Sequence, residues 1–462
     1  MSDTRIETDS LGDVEVPAGA LWGAQTQRAI DNFPVSGRPM PTAFIHAVVR
    51  IKRCAAQTNA VLDLLDGTRA EAIEKACDRI LAGEHGDQFP VDVFQTGSGT
   101  STNMNVNEVL ASLASELCDQ PVNANDHVNM SQSSNDVIPT AIHLSAVTET
   151  RQTLLPALDH LTRVIAAREQ ETESVVKTGR THLMDAMPVT LAQELRTWRE
   201  QLLAVMGRVE HAAQGLLHIP QGGTAVGTGV NAHPDFAGLF AEELSALSDY
   251  YFLPLEHAFT GQSAIDAPVA LSGQYRGVAT TLMKIANDLR WMNSGPIHGL
   301  GEITLPALQP GSSIMPGKVN PVIPESVAMA ATQVTGLDAS VNAAGQSGNF
   351  QLNVMLPLVG WNLLEMNQLL ARSANLLADR AISGFTVNAE VMAEAVGRNP
   401  VLVTALNPVI GYAKAADIAK KAYASGRPII DVAREETDLD EGELRRLLDP
   451  IRQTRGGLPD DA

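Results

Sequence analysis

The feature that most constrains this fold is a set of apolar stripes in the middle of the chain. The longest stripe repeats at spacings of four and three residues and comprises Leu191, Leu195, Trp198, Leu202, Val205, Val209, Ala212 and Leu216. Comparable stripes cover residues 154–165, 271–292, 327–341 and 359–377. Stripes of this period and length need partner helices that bury them. We therefore predict five long helices, near 139–169, 190–218, 264–293, 325–345 and 355–382, packed as one central bundle.

The flanking regions differ from this bundle, so the sequence predicts three domains. Residues 1–130 mix short helical runs with loops, residues 131–387 form the long-helix bundle, and residues 388–462 form a small helical domain. Aromatic residues make up only 4% of the chain, too few for a typical β protein, so the fold should be mainly α. Thr190 and Gln193 are expected to form a capping box that begins the second long helix.

Charge and cysteine content exclude several classes of partner and site. The chain has 33 Lys and Arg against 53 Asp and Glu, a net charge of −20, which disfavours binding to nucleic acid. Its three cysteines are far apart and form no CxxC, which excludes a disulfide framework and a thiolate zinc site. The sequence has neither a signal-like start nor a long uninterrupted apolar run, so we expect a cytoplasmic chain with no membrane partner.

Four segments are unusually rich in small polar residues and are predicted to be loops. They are QTGSGTSTNMNVNE (95–108), NDHVNMSQSSND (125–136), GRTHLMD (179–185) and GSSIMPGKVNP (311–321). One such segment alone would be an ordinary turn, because Ser and Asn often satisfy nearby backbone groups. Together they supply many neutral donors and a few cations, the composition expected for a site that binds a small polycarboxylate.

Other motifs that these segments suggest do not fit. The segment GSSIMPGK has five residues between its glycines, where a Walker A loop has four, and Val319 follows the lysine where Ser or Thr should stand. The glycine-rich segments lack the context of a dinucleotide fingerprint, and no GxSxG elbow is present. The eleven histidines show no HxxxH or HExxH spacing. We therefore expect no metal and no cofactor.

Six motifs together resemble the fumarase/aspartase superfamily, and class II fumarase in particular. In chain order they are WGAQTQRA (22–29), TGSGTSTNMN (96–105), SQSSND (131–136), GRTHL (179–183), GGTAVGTGVN (222–231) and GSSIMPGKVNP (311–321). The resemblance runs from about Leu21 nearly to the end of the chain. It implies a homotetramer in which the central bundles form a twenty-helix core, and active sites that are each assembled from three subunits.

The resemblance also implies the reaction and the residues that perform it. The reaction is the reversible hydration of fumarate to (S)-malate, which needs a base, a stabilised aci-carboxylate and a general acid. Ser312 is expected to be the base, with Lys318 and loop amides stabilising its oxyanion. His182 is expected to act on the oxygen side through a water, oriented by Glu325. Lys318 and Asn320 should grip a substrate carboxylate, together with Ser98, Gly99, Thr100, Ser133, Ser134, Asn135, Thr181, Ser313 and Val319.

Two departures from the family pattern leave questions open. Where the family often has HPND, in a second, non-catalytic dicarboxylate site, this chain has Asn123, Ala124, Asn125 and Asp126, and it has Met130 where lysine is common. This second site is therefore in question. The segments NPVIPE (320–325) and FQLNVM (350–355) are similar to the aspartase pattern, whereas GRTHL (179–183) and PGK (316–318) are similar to the fumarase pattern. Aspartate ammonia-lyase is accordingly the same-class alternative to fumarase, and a non-catalytic helical scaffold is the alternative from another class.

Overall fold

The computed structural model describes residues 4–457, and most of them are helical. The α-helices are α1 Ala24–Asn32, α2 Thr42–Val61, α3 Gly67–Leu81, α4 Thr100–Cys118, α5 Ser134–Glu149, α6 Leu155–Glu171, α7 Leu191–Gln214, α8 Phe236–Ser248, α9 Ala258–Ser263, α10 Asp266–Met292, α11 Val322–Gly345, α12 Leu356–Leu377, α13 Ala389–Arg398, α14 Asn407–Ile410, α15 Tyr412–Ser425, α16 Ile429–Glu436, α17 Glu441–Leu447 and α18 Pro450–Gln453. Among the described helices, none is long and apolar enough to cross a membrane.

Ten short strands pair into five two-stranded sheets. The strands are β1 Thr4–Asp9, β2 Gly12–Pro17, β3 Val176–Thr181, β4 Met184–Thr190, β5 His218–Ile219, β6 Leu253–Pro254, β7 Ile303–Thr304, β8 Gly348–Asn349, β9 Leu352–Asn353 and β10 Thr386–Val387. Strand β1 pairs with β2, β3 with β4, β5 with β6, β7 with β10 and β8 with β9. None of these strands is predicted from the sequence, although the mainly α class is confirmed.

The five predicted long helices are confirmed, with small differences at their ends. The first begins at Ser134 and continues as α5, a π-helical turn at Thr150–Leu154, and α6. The stripe residues Leu191, Trp198 and Val205 are buried as predicted, but towards the end of α7 it is Ala213 rather than Ala212 that is buried. A straight helix drifts from a strict 3.5 repeat, so the apolar face moves by one residue. The Thr190–Gln193 capping box is also confirmed, because each backbone N–H donates to the other side chain.

The chain divides into two compact units. The first comprises residues 1–156, 205–279 and 331–371. A polar junction lies in its core: the hydroxyl of Tyr275, at the centre of one stripe, contacts the hydroxyl of Thr150 at 2.7 Å and accepts from the Asn367 amide at 3.1 Å. Burial raises the pKa of Tyr275 to about 12. This junction fixes the register of three helical segments that are otherwise held by non-directional apolar contacts.

The second unit comprises residues 157–204, 280–330 and 372–462. It contains the β3–β4 hairpin and, after residue 388, a separate apolar cluster that includes Val396, Leu406, Ile418 and Leu444. This cluster gives the C-terminal segment a core of its own. The three domain boundaries drawn from the sequence remain predictions.

Three of the four predicted loops are partly wrong. The segment 125–136 includes most of the π-helical turn Ala124–Val128 and the start of α5, and the segment 179–185 lies in strands β3 and β4 except for a two-residue turn. The segment 95–108 was expected to be a loop, but α4 begins at Thr100 and includes its second half. The asparagines Asn103, Asn105 and Asn107 misled the prediction, because they are buried polar residues within a helix. Their amides donate to Asn129 and to the Gln88 carbonyl.

Candidate active site

Three hydroxyl groups of the first unit meet where two helices begin. The Thr100 hydroxyl, in the first turn of α4, lies 2.9 Å from that of Ser98 and 2.6 Å from that of Ser134, in the first turn of α5. Gly99 precedes α4 with φ +75°, and a Cβ there would come within 2.8 Å of Ile138, so the turn requires glycine. The positive ends of two helix dipoles make this junction suited to a carboxylate.

Asp136 holds the start of α5 and a second segment together. Ser133 and Asp136 form a capping box, in which the Ser133 N–H donates to the Asp136 carboxylate at 2.9 Å. The other oxygen of Asp136 accepts from the N–H groups of Gly222 and Thr224, at 3.0 and 2.9 Å. Burial raises the pKa of Asp136 to about 6, against the lowering effect of these backbone donors. The neighbouring Asn135 amide donates to the Ala225 carbonyl, so the 131–136 and 222–231 motifs are joined.

A buried lysine supports the loop before α5. The Lys52 ammonium donates to the side-chain oxygens of Asn129 and Gln132, at 2.8 and 3.1 Å. Burial lowers the pKa of Lys52 to about 7. Neither Lys52 nor Asp136 is among the site residues predicted from the sequence. The S-x-x-D pattern of a capping box could have identified Asp136, and the only signal for Lys52 was a lysine on the apolar face of α2.

The residues of the questioned second site lie beside the first cluster. Ala124 and Asn125 line a cleft of about 670 Å³ that Thr96 and Thr100 also line. Asn123 does not present its amide oxygen to this cleft, because that oxygen caps the π-helical turn Ala124–Val128 by accepting from the N–H groups of Asn125 and Asp126. An imidazole is present four residues later, at His127, where Nδ1 accepts from the Asn123 N–H at 2.8 Å.

His182 lies at the tip of the β3–β4 hairpin, in the second unit. Thr181 pairs with Met184, which leaves His182 and Leu183 as a two-residue turn with φ +55° and +61°. Positive φ at both central residues is the mark of a type I′ turn, which asparagine and glycine usually occupy. Thr181, His182 and Leu183 are all exposed. The hairpin therefore presents the imidazole to solvent at a conformationally demanding position.

Buried ion pairs fix the base of this hairpin. The Lys177 ammonium donates to Glu302 at 2.5 Å and to Glu194 at 2.7 Å, and Arg180 donates to the other oxygen of Glu302 at 2.7 Å. The side chains of Lys177 and Glu302 are almost fully buried. Burial raises the pKa of Glu194. Glu302 thus connects two β3 residues that lie close before His182.

The segment 311–321 is a loop, as predicted, and it holds Ser312 in a defined geometry. The Ser312 Oγ accepts from the N–H groups of Ile314 and Met315, at 3.3 and 3.0 Å. Lys318 does not contact Ser312 in this chain; its ammonium donates to the Asn320 side chain at 2.5 Å. The Asn320 amide in turn donates to the Gly311 carbonyl at 2.6 Å and closes the loop. Ser313, Lys318 and Val319 are exposed.

The structure therefore assembles the predicted site residues in separate groups. Ser98, Thr100 and Ser134 form one group, and Ser312, Lys318 and Asn320 share one loop. His182 and Glu325, both of which the structure describes, are joined by no hydrogen bond or ion pair within the chain; Glu325 lies in the first turn of α11. No group of three potential metal ligands occurs among the described residues.

The chain is similar to known lyases and fumarases along nearly its whole length. Residues 12–336 match a family model described as lyase, and residues 402–455 match one described as the fumarase C C-terminus. The chain is 58% identical to a Pseudomonas aeruginosa protein named fumarate hydratase class II 2, with 99% of this chain and 100% of that protein covered. It is 56% identical to a Xylella fastidiosa protein named fumarate hydratase class II, with 98% and 96% covered.

A solved structure shares the same fold. The crystal structure of recombinant class II fumarase from Schistosoma mansoni superposes with a TM-score of 0.95 at 38% sequence identity, covering 98% of this chain and 99% of that one. The likeness thus extends over both units and includes every motif described above.

Proposed function

We infer that this chain, which belongs to the class II fumarate hydratases of the fumarase/aspartase superfamily, is a lyase that adds water reversibly to fumarate to give (S)-malate. The observation that carries this conclusion is the near full-length similarity to proteins of that name, within which all six polar motifs lie. The residue roles and the assembly that follow are proposals about how this chain performs the reaction.

The first proposed role is that of Ser312 as the base. In the elimination direction, a base must remove a weakly acidic C–H proton next to a carboxylate, which requires a serine oxyanion. Two backbone N–H groups already point at the Ser312 oxygen, and they would stabilise its negative charge. Lys318 and Asn320 would bind the substrate carboxylate and disperse the charge of the aci-carboxylate. Both belong to the same loop, which supports their acting together.

The second proposed role is carboxylate binding at the junction of α4 and α5. The hydroxyls of Ser98, Thr100 and Ser134 form a hydrogen-bonded row between two helix N-termini. Asp136 keeps this row in place without reaching the ligand, because its oxygens are occupied by backbone N–H groups. Gly99, Ser133, Asn135 and Thr181 complete the proposed set of substrate contacts, with Ser313 and Val319 on the loop.

The third proposal is that the site is completed by other copies of the chain in a homotetramer. His182 would act on the departing or attacking oxygen through a water, with Glu325 orienting its ring. These two residues do not meet within one chain, and His182 lies on an exposed tip. Leu183 beside His182, Ile314 in the 311–321 loop and Met329, one turn after Glu325, are more than half exposed, which supports burial against a neighbouring subunit. A cytoplasmic location also stays a prediction.

The experiment that tests the function is a direct absorbance assay. Fumarate has a conjugated double bond that absorbs in the near ultraviolet and malate has not, so malate plus protein should produce an increasing signal. Aspartate should produce none, whereas an aspartate ammonia-lyase would give the opposite pattern and a scaffold would give neither.

The matched variant is Ser312→Ala, which removes the proposed base. We expect the rate to fall by about 10²–10⁴-fold or more with the fold unchanged. Activity of this variant within a few-fold of the parent would refute the role of Ser312 but not the reaction.

A further inference from the structure

Two opposite charges are buried behind the junction of α4 and α5, those of Lys52 and Asp136. The Lys52 ammonium donates to the side-chain oxygens of Asn129 and Gln132, which are both neutral amides. Lys177, which is also almost fully buried, instead donates to two carboxylates. Because its hydrogen bonds go to neutral groups, the charge of Lys52 acts on a carboxylate that it does not contact directly.

A single loop connects the Lys52 ammonium to the Asp136 carboxylate. Gln132 accepts from Lys52 at 3.1 Å, and the N–H of the next residue, Ser133, donates to Asp136 at 2.9 Å. Burial has the largest effect on both pKa values, raising that of Asp136 and lowering that of Lys52, and the opposite charge of the other group counters burial in each case. The two groups therefore attract each other across this loop.

The same ammonium is connected to the start of α4. The Asn129 side-chain oxygen accepts from Lys52 at 2.8 Å and from the amides of Asn103 and Asn107 at 3.2 Å each. An amide oxygen has two lone pairs, so the ammonium and the two amide groups share them. Asn103 belongs to the first turn of α4, because its N–H donates to the Gly99 carbonyl at 3.0 Å. Lys52 is thus hydrogen-bonded, through Asn129, to the helix turn that begins at Thr100.

Asp136 presents a difficulty for a junction that binds an anion. Its carboxylate is needed because it accepts from the N–H groups of Ser133, Gly222 and Thr224 and so joins two motifs. Its negative charge, however, lies two residues after Ser134 and repels a carboxylate ligand. It also takes up part of the positive end of the α5 dipole. Since Asp136 is removed from water, solvent screens this repulsion only weakly.

We propose that Lys52 is the counter-charge that offsets the repulsion between Asp136 and a dicarboxylate bound by the hydroxyl groups at this junction. Lys52 does not contact the ligand. Its role is to let a buried aspartate organise the junction without lowering the affinity of the junction for an anion. The proposal rests on the proposed function, because that function makes the ligand a dicarboxylate.

Isothermal titration calorimetry on the full chain, with two ligands of equal length and different charge, tests the proposal. Succinate is a dianion and its monoamide, succinamate, is a monoanion, and neither has the double bond or the hydroxyl group on which the reaction acts. The titrations are made at about pH 6.5, between the pKa values of about 6 for Asp136 and about 7 for Lys52, where each group is charged in most chains.

The neutral variants Lys52→Met and Lys52→Gln should weaken succinate binding about tenfold and succinamate binding about threefold. Halving the charge of the ligand halves its interaction with Lys52, which corresponds to the square root of the change in affinity. Glutamine at this position still has an amide group that donates to Asn129 or Gln132, whereas methionine has no donor. A Lys52→Gln variant with the parent's affinities would overturn the proposal, as would an equal factor for the two ligands, because either result means that Lys52 only holds the loop.

The control is Lys75→Met, which makes the same charge change on an exposed lysine of α3 that is paired with Glu71. It should leave both affinities unchanged. A loss of succinate affinity in this variant equal to that in Lys52→Met would overturn the proposal, because it would show an effect of net charge alone.

Asp136→Asn tests the same pair from the other side and decides the matter even if the Lys52 variants do not fold. Loss of the capping carboxylate should weaken the binding of both ligands, but the preference for succinate over succinamate should rise about threefold, because Lys52 then acts without an opposing charge. A preference equal to or below that of the parent would overturn the role of Lys52 alone. Absence of succinate binding to the parent at millimolar concentration, together with no turnover of malate, would refute the proposed function and this proposal with it.

Discussion

Glu302→Gln is the substitution that best tests how the hairpin positions His182. The glutamate accepts from Lys177 at 2.5 Å and from Arg180 at 2.7 Å, and both the lysine and the glutamate are almost fully removed from water. The glutamine side chain would keep the shape and one acceptor oxygen, but it would present an NH₂ group to one of the two cations. We expect the hairpin to loosen without loss of the helical core.

The magnitude follows from the burial of the pair. Removing one partner of a buried ion pair costs about 3–5 kcal/mol, because the other charge stays buried without compensation. Lys177 keeps Glu194 and the glutamine keeps one hydrogen bond, so we expect about 3 kcal/mol, the lower end of this range. Glu435→Gln is the matched control. Its bidentate pair with Arg427 is about half exposed on both sides, and such pairs contribute about 0–1 kcal/mol.

Three measurements on the same samples distinguish an effect on the position of His182 from an effect on the stability of the chain. Urea unfolding gives the loss of stability, amide hydrogen exchange reports opening of residues 176–190, and the fumarate assay gives kcat and KM. If Glu302 positions His182, amide hydrogen exchange in the hairpin should become faster. The turnover number kcat should fall by a larger factor than the factor by which KM changes. An unfolding midpoint and a turnover number indistinguishable from those of Glu435→Gln would refute the reasoning.

Three further predictions concern assembly, the second site and acid stability. Mixed and reassembled His182→Asn and Ser312→Ala chains should regain part of the parent's activity if sites are shared between subunits; tetramers that stay inactive at every mixing ratio would contradict this. Calorimetry on Ser312→Ala should show one dicarboxylate site per chain, and adding Asn123→His should tend to restore a second; two comparable sites without it would refute the argument. Burial lowers the pKa of His143 from 6.5 to about 4, so only the unfolded chain binds this proton between those two pH values. Stability should therefore fall by about 3 kcal/mol as the pH drops through that window, and His143→Gln should remove most of this loss in thermal unfolding.

The long helices could be predicted because an apolar stripe is a local pattern with one physical explanation. The apolar stripe residues from Leu191 to Val209, and those from Leu271 to Met292, are buried because the period of each stripe matches one face of a helix. The site motifs could be identified for a different reason, since their likeness to a known family identifies them without any geometry. Neither kind of signal predicted the hairpins, because β3 and β4 are short and lack a clean alternation of apolar and polar residues.

The polar framework of the site was the part that sequence could not supply. Lys52 and Asn129 are 77 positions apart, and Asp136 reaches the N–H groups of Gly222 and Thr224. Such pairings depend on which segments the tertiary fold brings together, and no local propensity encodes them. The same is true of Glu302, which lies 122 positions after Arg180 in the chain. Such a residue can have a local signal of its own, as the S-x-x-D pattern is for Asp136, but a single sequence does not indicate which distant segment it contacts.

The type I′ turn at His182 and Leu183 has a consequence for how this protein could be engineered. Leucine is poorly suited to positive φ, and asparagine followed by glycine is the preferred pair for such a turn. A library screened only for heat resistance should therefore accumulate Asn-Gly at these two positions, and a library screened for turnover should keep the histidine. Sequencing survivors of the two screens would show at this one turn where thermal tolerance and activity select opposite residues.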